Sequence, residues 1–94
     1  MLWDLGDFTG AKAQLEQALA ITEAALGPGH PNVGRDRNNL GGVLQDLGDL
    51  TGAKAQYEKA LAIDEAALGP GHPTVATIRD NLTELDHSEA DHHG

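Results

Sequence analysis

The side chains best suited to chemistry are histidines. His30 and His72 stand in identical Gly-Pro-Gly-His-Pro segments 42 residues apart, and His87, His92 and His93 follow near the end of the chain. Three or four such ligands around one point would hold zinc. Two that recur at the same place in successive units are instead held apart by the spacing of those units. The expected role of His30 and His72 is therefore to cap the helix that follows or to pack in the turn, and no metal is expected. Nucleophilic catalysis also lacks its parts, because there is no Cys and Ser88 is the sole Ser. Asp and Glu are plentiful, but they fall on helix faces where a solvated surface is the usual explanation. No Gly-rich phosphate loop follows a strand. Neither an enzyme activity nor a cofactor is expected.

The segments that must position these residues are two copies of one text. Trp3 to Val33 and Gln45 to Val75 agree at 25 of 31 positions, and a fixed period of this length marks a stacked repeat array. In each copy a long helix precedes the connector. In the first it is read as Thr9–Leu26, with Thr9 as N-cap and Asp7 as the competing choice. It carries Ala11, Leu15, Ala18, Leu19, Thr22, Ala25 and Leu26 on one side at spacings of three and four. In the second, Thr51 to Leu68 presents Leu50, Ala53, Tyr57, Ala60, Leu61, Asp64 and Leu68. Gly27 closes the first long helix and Gly69 the second. The Pro forbids continuation, and Pro31 and Pro73 suit the first turn of the next helix. A short helix then follows with Val33, Arg37, Leu40, Leu44 and Leu47, and a last one with Val75, Ile78, Arg79, Leu82 and Leu85. Gly41 and Gly42 inside a helix each cost roughly 0.8–1.0 kcal/mol against Ala, so close approach of another backbone is expected there. Gly48-Asp49 is a tight turn that makes neighbouring helices antiparallel. The apolar period fails after Leu85, so one helical domain is read over residues 1–86 and a disordered tail over 87–94.

Composition narrows the partners. A net charge of −9 with six Lys and Arg argues against nucleic acid and against an anionic membrane surface. No apolar run approaches the roughly 20 residues that span a bilayer, and the acidic start MLWDLGDF is no signal peptide. The absence of Cys excludes a disulfide framework and fits the cytoplasm.

The ordered small and large residues Leu40-Gly41, Leu44, Gly48, Leu50, Ala53, Tyr57 and Ala60 resemble the tetratricopeptide repeat family. Leu2, Gly6, Phe8, Ala11, Leu15 and Ala18 match it in the first copy. The 42-residue period, the connector LGPGHPxV and the following Asn38-Asn39-Leu40 resemble the kinesin light chain form of the repeat. Arg37 departs from the pattern, standing where a large apolar residue usually opens the first helix. So does Glu65, which stands where shorter repeats carry a Pro. The resemblance implies an all-α stack of antiparallel helical hairpins whose short helices line a concave groove for a peptide or helix of another protein. It places Arg35, Asn38, Asn39, Gly42 and Gln45 on that face, with Asn81 from the next copy. Asn there can donate to and accept from a peptide backbone, Gly42 leaves room, and Arg35 could receive an acidic group.

A second expectation comes from the ends. The chain begins in mid-repeat and the last short helix lacks a long helix after it, so each end is expected to leave an apolar stripe uncovered. The short helix of one chain would pack on the long helix of the next through Trp3, Leu15, Leu19, Ile78, Leu82 and Leu85, giving a homo-oligomer.

Overall fold

A computed structural model describes residues 5–93, with side chains from residue 7 to residue 87. Four helices follow one another: α1 Leu5–Leu26, α2 Pro31–Asp46, α3 Leu50–Leu68 and α4 Pro73–His93. Each packs against its neighbour in sequence as an antiparallel pair, α1 on α2, α2 on α3 and α3 on α4. The fold is therefore all-α, as the periodicity requires.

The connectors obey their local chemistry. Gly27 and Gly69 close α1 and α3 at φ of 93° and 94°, and Gly48 turns the chain at 87°, a region that a Cβ disfavours. His30 Nδ1 accepts from the Asn32 backbone N–H at 3.0 Å and His72 Nδ1 from that of Thr74 at 3.1 Å. Both histidines thus cap the helix that follows, each satisfying one of the orphan donors of its first turn.

α2 is the central element. Its Val33, Leu40 and Leu44 are buried with Ala53, Tyr57 and Ala60 of α3, Leu19 of α1 and Ile78 and Leu85 of α4. Gly41 is closely packed, but against a side chain rather than the backbone expected there. A Cβ there would lie 2.7 Å from the Tyr57 ring, so glycine is what lets α2 and α3 come together. Gly42 is different, since a Cβ on it would meet the Tyr57 hydroxyl at an ordinary 3.7 Å.

Each of the two departures from the repeat pattern has a partner, Arg37 in Glu23 and Glu65 in Arg79. Arg37 donates to Glu23 Oε2 and to Gln56 Oε1, each at 2.9 Å, and so ties α2 to both long helices. One repeat later Arg79 bonds to Glu65. The apolar residue missing at the start of each short helix is replaced by an ion pair to the end of the preceding long one.

Three further expectations are corrected. α1 starts at Leu5 rather than at Thr9, so Gly6-Asp7 is helical although the same LGD text makes a turn at 47–49. The cap of α3 is Asp49, whose Oδ1 accepts from Gly52 N–H at 2.9 Å, while Thr51 lies inside the helix. α4 runs to His93 instead of stopping at Leu85. No Pro or Gly interrupts 74–93, and loss of the apolar period removes packing without removing helix propensity.

Candidate functional site

An open groove of about 840 Å³ lies between α1 and α2 and reaches α4. One wall is α1, with Ala11, Gln14, Leu15 and Ala18. The other is α2, with Asn38, Asn39, Gly42, Val43 and Asp46, and Tyr57 and Asn81 complete it. The spacings explain the walls. Residues 11, 15 and 18 share one helix face, as do 39, 42, 43 and 46.

Of the six residues read as a groove, four converge here: Asn38, Asn39, Gly42 and Asn81. Asn81 Nδ2 donates to Asn38 Oδ1 at 3.0 Å, tying α4 to α2. Asn39 is exposed on the same wall. The other two are elsewhere. Arg35 is 65% exposed and sits 3.6 Å from Asp36 of its own helix. Gln45 is not part of the lining, but it accepts from the hydroxyl of Tyr57, which is, at 3.0 Å. The cation assigned to the site is thus absent from it, and an anion, Asp46, takes part instead. Position 46 follows Gly42 by four residues and Asn39 by seven, a spacing that places it on the same face.

Electrostatics at the groove are therefore negative. Among the described residues that line it, Asp46 is the charged one, and no Lys, Arg or His contributes. Tyr57 registers this. Its hydroxyl is held above the usual tyrosine pKa, first by burial and then by the charges of Asp46 and Glu84. Those two carboxylates are close enough to disfavour another negative charge.

The residues read as a self-association surface are dispersed. Trp3 lies outside the described residues. Leu15 is half-buried and lines the groove. Leu19, Ile78 and Leu85 belong to the buried core, and Leu82 packs against it. The stripe of α4 is covered by α3 rather than left open. Burying Ile78 and Leu85 contributes about 1.5–3 kcal/mol each, which docking that stripe on another chain would forfeit.

No group of three His, Cys, Asp or Glu that could hold a metal occurs among the described residues. No helix among them is long and apolar enough to cross a membrane.

Consecutive antiparallel helices, a repeated Arg–Glu tie and a groove lined by Asn define a helical-repeat protein. The sequence profile of the tetratricopeptide repeat matches residues 1–66 and again residues 37–94. The chain belongs to that family, whose members are generally protein–protein interaction modules and typically non-catalytic. A search of curated proteins finds no match to the chain.

Proposed function

We propose that the chain binds a helix or peptide of another protein in the groove between α1 and α2, without catalysis. The observation that carries this is the open wall Ala11, Leu15 and Ala18, set opposite the exposed Asn39 across an open groove of about 840 Å³. Apolar contact supplies affinity along α1, and the Asn39 amide supplies direction along α2. The 42-residue period and the LGPGHPxV connector support the kinesin-light-chain-like form of the repeat. The absence of Cys supports a cytoplasmic setting. Self-association is the competing use of the same α1 wall, since Leu15 belongs to both readings.

Panning a displayed library of helical peptides on the immobilised chain tests the proposal. Binders should be enriched on the parent and lost on Ala18→Tyr, which fills the trough from an exposed position, and weakened on Asn39→Ala. Binders indifferent to both substitutions would sink it.

A further inference from the structure

α2 and α4 occupy the same place in successive repeats, yet α2 packs against two long helices and α4 against one. The side of α2 that receives α3 holds Gly34 and Gly41, both buried. A Cβ on Gly34 would lie 2.2 Å from Asp64 Oδ1 and 3.3 Å from Ile63, and one on Gly41 would lie 2.7 Å from the Tyr57 ring. The absence of those two Cβ atoms is what admits α3. Leu44, three residues past Gly41 on the same face, is buried in the core with Ala53 and Tyr57.

One repeat later these three positions are Ala76, Thr83 and Asp86, and all three are exposed. Both glycines have been replaced by residues with a Cβ, one of them β-branched. Thr83 donates its hydroxyl to the Arg79 carbonyl at 3.0 Å, so its polar group is satisfied within its own helix. Asp86 stands where Leu44 is sealed from water, and an ionised carboxylate is costly there unless it is paired. The apolar side of α4 is already engaged, since Val75, Ile78 and Leu85 are fully buried, the last two in the core shared with α3.

We infer that α4 is a terminating helix, whose outer side at Ala76, Thr83 and Asp86 refuses the long helix that α2 accepts at Gly34, Gly41 and Leu44. Ala76 and Thr83 hold such a helix off sterically, and Asp86 penalises the burial it would bring. A polar outer face on a terminal unit is what keeps a stacked array from recruiting more units. For a second copy of the chain, α4 is thereby excluded as the helix that lies on α1. At a net charge of −9, the exposed Asp80, Glu84 and Asp86 add repulsion to that exclusion.

An extended chain tests this. Replacing residues 88–94 by the text of Asp46 to Leu68 puts a long helix after α4 at the spacing at which α3 follows α2. The Lys residues of the added copy are changed to Arg, so that its peptides differ in mass from those of α3. Hydrogen exchange read by mass spectrometry should find the added helix exchanging at least about tenfold faster than α3. In the same extended chain, Ala76→Gly/Thr83→Gly/Asp86→Leu should protect the added helix. Thr83→Ala/Asp86→Leu, which spares α4 the helix-weakening cost of glycine, should protect it in part. Equal protection of α3 and the added helix on unaltered α4 overturns the inference. So does a failure of both variants to raise protection. In the chain without the addition, a concentration-dependent mass by sedimentation that Thr83→Lys abolishes would overturn it too.

Discussion

Replacing Asp64 by Thr should make the chain more stable. Asp64 is 1% exposed, and its Oδ1 has no hydrogen-bond partner. It faces Gly34, where a Cβ would lie 2.2 Å from that oxygen, so the carboxylate is pressed against backbone. Burial holds its pKa above the ordinary carboxylate value, and His72 offsets this only in part. A buried polar group without a partner costs about 1–3 kcal/mol. Thr occupies the corresponding position 22, is close to Asp in helix propensity, and can turn its hydroxyl to the carbonyl four residues back. A gain of about 1–2 kcal/mol at pH 7 is expected, which for a domain of this size raises Tm by about 5–10 °C. The pH dependence carries the sign. A raised folded-state pKa means that folding favours the protonated acid, so the penalty is absent below the unfolded-state pKa. It grows as pH rises and is complete above the folded-state value. Thermal unfolding followed by circular dichroism from pH 3 to pH 8 should show parent and Asp64→Thr converging in acid and separating toward neutrality, with Asp64→Asn between them. Equal Tm values at pH 7, or a gap that widens in acid, would refute the reasoning.

Other substitutions test the packing. Gly41→Ala should destabilise by about 1–3 kcal/mol because Tyr57 cannot yield without moving α3. Gly42→Ala should instead stabilise by up to about 0.8–1 kcal/mol through helix propensity, and urea denaturation of the pair would show opposite shifts in midpoint. Arg37→Leu removes a charge bonded to two helices and should cost about 1–2 kcal/mol. Arg79→Leu, nearly half exposed, should cost at most about 0.5 kcal/mol. A double-mutant cycle on Glu23 and Arg37 would expose a false account if it returned no coupling. His30→Ala should cost about 0.5–2 kcal/mol as a lost helix cap, and His30→Asn should recover most of it in the same melts.

The period, the helix order, the left-handed glycines and the His caps were legible in the sequence because each depends on residues within one or two turns. Gly41 was legible too, since a glycine that weakens a helix needs a neighbour to justify it, and Tyr57 is that neighbour. The Arg37–Glu23 tie left a readable trace in its repetition as Arg79 and Glu65, 14 residues apart both times. What tertiary structure decided was how identical text behaves in different surroundings. LGD is helical at 5–7 and a turn at 47–49, where the turn sets α3 against α2. The Ala-large-Ala stripe is core on α3 and a groove wall on α1. Periodicity names the residues that share a helix face, but only the packed neighbours decide which faces are covered. For that reason the groove came to hold Asp46 and not Arg35.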